Sequence, residues 1–158
     1  MSWTSRLGPY ALVLRASALL LWARLLVAIV PMRYWRASLG TISDGQGADT
    51  PGPATWADVP DELRRIVRAV ERASLRLPIH LRCLPRAMVV QWMARRRGMD
   101  CTLRIGIERG AEEELHAWVD CGQVTIVGNL PQRSFLPIVA LRTGRSAQRT
   151  SGRPGGHI

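Results

Sequence analysis

The hydrophobic period of this chain changes at Gly98, and no other feature restricts its fold as much. Before Gly98 apolar residues recur every three or four positions; after it they alternate with polar ones. The first spacing suits helices with one buried stripe, and the second suits strands with one buried face. Helices followed by consecutive short strands describe an α+β domain, its N-terminal helices leading into a small antiparallel sheet.

Residues 10–30 are expected to be helical, between Pro9 and Pro31. Residues 40–54 hold Gly40, Gly45, Gly47, Pro51, Gly52 and Pro53 and read as a linker or surface loop. A second helix starts near Val59-Pro60. Thr55 and Asp58 are spaced as a capping box there, or Asp58 itself caps. Leu63, Ile66, Val67, Val70 and Ala73 form its apolar stripe, and Pro78 ends it. A third helix covers roughly 83–97, with Leu84, Ala87, Met88 and Trp92 facing inward. Arg95, Arg96 and Arg97 suit its last turn, and Gly98 its C-terminal stop. Strands follow at 101–107, 115–121 and 124–127, with a polar loop over 108–114 and a tight turn at Gly122-Gln123. The expected division is a helical N-terminal region and linker over 1–54, a core over 55–141, and a flexible basic tail over 142–158.

With 158 residues, 47% of them hydrophobic, the chain can bury the core of one ordinary domain. Its net charge is +10, and every one of its 22 basic residues is arginine. That balance favours acidic or phosphate-bearing partners. Nucleic acid is not the expected partner, because no recognised module is present and aromatic residues are not interleaved with the basic clusters. Three sparse cysteines argue against a disulfide framework and fit a reducing cytoplasm. Their spacing, with three scattered histidines, is not that of a zinc site, so no metal or cofactor is expected. In the apolar run over 7–32, Arg15 and Arg24 break any 18-residue apolar span. That helix either packs on the domain or a partner protein, or lies peripherally on a membrane surface, or targets or spans one.

The residues able to carry chemistry are Cys83 and His116. Cys83 stands at a helix start, where unsatisfied N–H groups and the helix dipole stabilise a thiolate, with Arg82 and Arg86 adding positive field. A buried structural cysteine would read the same way in isolation. His116 lies in the strand H-A-W-V-D, where alternation puts His116, Trp118 and Asp120 on one face and Ala117 and Val119 on the other. Alone it could equally be a half-buried histidine bonded to backbone. Thiol catalysis needs the two within about 3 Å at a fixed angle. A third group should orient the imidazole. Asp120 is about 13 Å along the same strand from His116 and therefore badly placed. If Cys121 pairs with Val124 across a two-residue turn, Val119 meets Ile126 and His116 meets Asn129, about 5 Å apart at Cβ. Asn129 then accepts a hydrogen bond from His116; otherwise it is a turn residue before Leu130-Pro131. Gln91 is mid-helix and a poor oxyanion donor, and His80 has no claim over His116 as base. Trp92 and Trp118 read as core or cleft wall.

The stretch with L-R-C-L-P-R-A at its start, R-R-R-G in its middle and H-A-W-V-D near its end, followed by S-F-L-P-I at 134–138, resembles the lasso peptide maturation proteases. More specifically, it resembles the stand-alone leader peptidase of the split systems. The resemblance implies a transglutaminase-like, papain-like core with Cys83 as nucleophile and His116 as base. The family's third member is acidic and falls near Asn129, where this chain has no acid. It further implies removal of the leader from a ribosomally made precursor peptide in the cytoplasm. The partners would be a separate leader-binding protein and an ATP-dependent cyclase, with ATP used by the cyclase. The same catalytic pair would also serve a thiol acyltransferase or amidase, and the missing acid would suit a non-catalytic scaffold of the same fold.

Overall fold

The computed structural model describes residues 8–44, 52–79, 82–108, 115–129 and 135–143. His80, the loop of 109–114 and the tail beyond Thr143 lie outside the described residues.

Four helices form one layer. Helix α1 runs Pro9–Ile29, and the short α2, Met32–Trp35, follows directly. Helix α3 spans Asp61–Arg76 and α4 spans Cys83–Arg95. On α3 the expected stripe is buried as spaced, with Asp61 and Glu62 in the first turn and Arg76 in the last, each favourable to the dipole. The capping box does form, but around the short 3₁₀ turn Trp56–Asp58: Asp58 Oδ2 accepts from Thr55 N–H at 3.1 Å and from Thr55 Oγ1 at 2.7 Å. Helix α3 itself starts after Pro60.

Helix α4 is the centre of the domain. From Ala87 to Gln91, and again at Met93 and Ala94, every residue is buried, because α1 and α3 cover one side and the sheet the other. A helix enclosed in this way needs no polar stripe. Helix α1 contributes Val13, Ala16, Leu20 and Ala23 to the same core. Other apolar residues of α1 are open to solvent, with Tyr10 80%, Leu14 73% and Ile29 69% exposed. Its window of 18 residues has mean hydropathy 2.0, enough by length and composition to cross a membrane.

The sheet has five antiparallel strands in the order β1-β5-β2-β3-β4. They are β1 Thr41–Asp44, β2 Thr102–Glu108, β3 Leu115–Cys121, β4 Val124–Val127 and β5 Phe135–Arg142. The expected meander is its β2-β3-β4 half. Strand β1 lies where a loop was expected, and it pairs with β5 from Thr41–Arg142 to Asp44–Val139. Residues on both sides of position 54 therefore share one core and one sheet. Gln91 joins the layers: its Nε2 donates to the carbonyls of Leu39 at 3.1 Å, Cys101 at 3.2 Å and Leu141 at 2.9 Å. It is a structural residue, committed to these three carbonyls.

One expected register is wrong. Cys121 pairs with Val124 and Asp120 with Thr125, but a bulge then sets Val119 opposite Val127 instead of Ile126. Strand β4 stops at Val127, so Asn129 has no ladder position across from His116.

Candidate active site

Cys83 is the first residue of α4 and is half-buried. Arg82 precedes it without a side-chain cap, so no side chain competes for the first-turn N–H groups. Because α4 is packed on both sides, the position of its first residue is fixed by the whole core.

The bulge and the early end of β4 explain where the sulfur sits. Among the described residues no strand lies beside the outer edge of β3 past Val127, and the start of α4 reaches that edge. The Ala117 N–H donates to Cys83 Sγ at 3.4 Å. The thiol in turn points at the Leu115 carbonyl, 4.0 Å away. These two backbone groups flank His116, so the sulfur rests against the strand at the level of the histidine. A donor aimed at sulfur stabilises negative charge on it.

The strand alternation holds. Ala117, Val119 and Cys121 are buried, while His116, Trp118 and Asp120 occupy the more open face. The imidazole is held twice. Its Nε2 is 2.7 Å from the Gly128 carbonyl oxygen. A carbonyl only accepts, so Nε2 carries the proton and the lone pair of the neutral ring is on Nδ1. Phe135, the one phenylalanine of the chain, stacks on the ring with centroids 4.6 Å apart and planes at 26°. Trp118 is 6.1 Å from the same imidazole and 5.9 Å from Phe135. Gly128 has φ +80°, and a Cβ there would lie 2.7 Å from the Ala117 carbonyl oxygen. Only glycine fits that approach.

Asn129 was expected to hold the imidazole. The one-residue shift gives that role to the carbonyl before it, and Asn129 instead lines the cleft beside Cys83 and His116. The cleft has a volume of about 330 Å³ and also includes Arg86 and Glu71 in its wall. Asp120 is engaged elsewhere, with Arg104 at 2.8 Å and Thr125 Oγ1 at 2.7 Å. Trp92 lies away from the cleft: its Nε1 donates to Ser38 Oγ at 2.9 Å, in a separate groove between α1, α2 and α4.

The other two thiols are set apart by burial. Cys101 is 2% and Cys121 5% exposed. A hydrogen bond with Cys121, and burial, push the Cys101 thiol well above the ordinary range, so it stays neutral. Cys83 is the thiol that opens onto the cleft.

The site thus sets a thiol at a helix start against the strand of a histidine whose second nitrogen is tied to a carbonyl. The family model described as transglutaminase-like superfamily matches residues 26–140, well over half of the chain. The chain belongs to the transglutaminase-like superfamily. The matched span runs from Leu26, late in α1, to Ala140 in β5, so this transglutaminase-like unit includes β1 and most of β5 as well as the site. No curated protein and no solved structure matches the chain.

Sequence reasoning missed two groups at this transglutaminase-like site. Gly128 acts through its backbone, and only the positive φ required at a strand end could have signalled it. Phe135 opens a strand that carries Pro137, and the proline disguised it.

Proposed function

We propose that this protein is a cysteine peptidase that removes the leader from a ribosomally synthesised lasso peptide precursor. The observation that carries the reading is the contact of Cys83 Sγ with β3 on both sides of His116. The superfamily, which includes cysteine peptidases and acyltransferases, supports the reaction class. The finer assignment rests on the resemblance of L-R-C-L-P-R-A and H-A-W-V-D to the lasso peptidases.

In this reading Nδ1 of His116 takes the proton of Cys83, and Sγ attacks the carbonyl of the last leader residue. The Gly128 carbonyl and the Phe135 ring keep the imidazole at the angle needed, in the manner of the third member of a triad. The backbone N–H of Cys83 faces the developing oxyanion. The imidazolium gives its proton to the departing amine, a thioester forms, and water releases the leader as a carboxylic acid. Asn129 remains a site residue at the cleft wall, placed to contact the peptide. A separate leader-binding protein would deliver the precursor, and a cyclase would consume the freed amine, in the cytoplasm. The exposed apolar residues of α1, interspersed with Arg15 and Arg24, support peripheral contact with a membrane.

The test is reconstitution with precursor and leader-binding protein, followed by mass spectrometry. The expected product is a leader ending in a free carboxylate. A leader joined to an added amine would instead make the protein an acyltransferase, and an intact precursor under conditions where the partners bind would leave it a scaffold.

A further inference from the structure

Among the described residues, the cleft contains a cation that forms no ion pair. Arg86 stands one helical turn after Cys83 on α4, so the two side chains share a face. Both line the same cleft with His116. The Arg86 Nε is buried and has no hydrogen-bond partner. Other arginines near carboxylates are paired: Arg64 with Asp61, Arg97 with Glu62, and Arg104 with Asp120. Among the described residues no carboxylate pairs with Arg86. Glu71 of α3 lines the same cleft, yet it is solvent-exposed and forms no ion pair with Arg86.

Desolvation of one edge strengthens the guanidinium's attraction for an anion at its remaining N–H groups, and a carboxylate is the planar group that pairs with them. We infer that Arg86 is an anion-binding subsite, which takes the side-chain carboxylate of an acidic residue flanking the scissile bond of the bound peptide. The inference rests on the reading of Cys83 as nucleophile and deepens it. Arg86 is a specificity-determining residue: it decides which peptides place their carbonyl over Sγ. Glu71, on the opposing element, weakens the subsite from a distance and discourages a second acid.

Two alkylating agents test this without a known substrate. Iodoacetamide and iodoacetate react alike: Sγ forms a bond to the methylene carbon, the carbon–iodine bond breaks, and iodide leaves with the electron pair. The thiol proton passes to the imidazole or to solvent. The two differ only in that iodoacetate carries a carboxylate. Burial of Cys101 and Cys121 directs the reaction to Cys83, and peptide mapping verifies the site.

The quantity read is the ratio of the two rate constants in the folded full-length chain. Arg86→Met should lower the iodoacetate-to-iodoacetamide ratio about tenfold, because a cation one helical turn from Cys83 concentrates its counter-ion near the reacting atom. Arg86→Lys should keep part of the preference, and Glu71→Gln should raise it. In the unsubstituted protein, 1 M salt should erode the ratio, which guards against a variant that fails to fold. A ratio that is the same in wild type and Arg86→Met, and indifferent to salt, overturns the subsite while leaving Cys83 a reactive thiol. A Cys83 that resists both reagents in the folded protein removes the nucleophile reading, and the subsite with it.

Discussion

Cys83→Ala is expected to lower leader release by at least ~10³-fold while leaving the fold intact, since removal of a nucleophile eliminates the covalent route and leaves only what binding and oxyanion stabilisation supply. The side chain makes two weak contacts, with the Ala117 N–H at 3.4 Å and the Leu115 carbonyl at 4.0 Å. It adds little to a core in which Met88, Met93 and Leu103 are fully buried. The thermal midpoint should therefore move by no more than about 2 °C, the equivalent of less than 1 kcal/mol for a domain of this size. Quantitative mass spectrometry of the precursor and calorimetry read the two effects separately. Release by the variant at the wild-type rate would show that Cys83 is not the nucleophile.

Gly106→Ala is expected to disrupt the sheet and the imidazole's ring stack together. Gly106 pairs with His116 on one side and with Pro137 on the other. An added Cβ would be 2.3 Å from the Leu136 carbonyl oxygen and 2.9 Å from the tip of the Trp118 ring. The ring can turn aside, but the Leu136 carbonyl belongs to β5 and moves only with its strand. Overpacking of this kind costs about 1–3 kcal/mol. At about 2–4 °C per kcal/mol, a fall of several degrees in the midpoint is expected. As Trp118 moves, the packing among His116, Phe135 and Trp118 loosens, so leader release should fall more steeply than the remaining folded fraction. An unchanged midpoint would show that β2 and β5 are not held at this spacing.

Much of this site was legible because its parts follow local rules. Alternation along H-A-W-V-D put His116, Trp118 and Asp120 on one face, and the burial of Ala117, Val119 and Cys121 agrees. The four-residue distance disfavoured Asp120, whose carboxylate is held by Arg104 and Thr125. Helix α3 announced itself through an apolar stripe on a charged background. Helix α4 was found through Gly98 and its basic last turn, although enclosure on both sides erased its periodicity.

The errors have identifiable physical causes. A bulge adds one residue to a strand without a distinctive composition, and the bulge at Val119/Asp120 moved the orienting acceptor from Asn129 to the Gly128 carbonyl. Strand β5 contains Pro137, which argues against a sheet interior. The structure accommodates it at the register shift of the β2 pairing, beyond the reach of β1, which covers only Val139–Arg142. Strand β1 is four residues long, T-I-S-D, too short for alternation to separate from loop, and its partner lies about a hundred positions away in the chain.

The account rests on cooperation between the sulfur of α4 and the imidazole of β3. It is tested most directly by the rate at which iodoacetamide alkylates Cys83 at neutral pH, with and without the histidine. His116→Ala should slow that reaction by ~10²-fold, the lower range for a positioned proton acceptor, while circular dichroism stays unchanged. Equal rates in the two folded proteins would contradict the account, because the thiol would then react without help from the ring beside it.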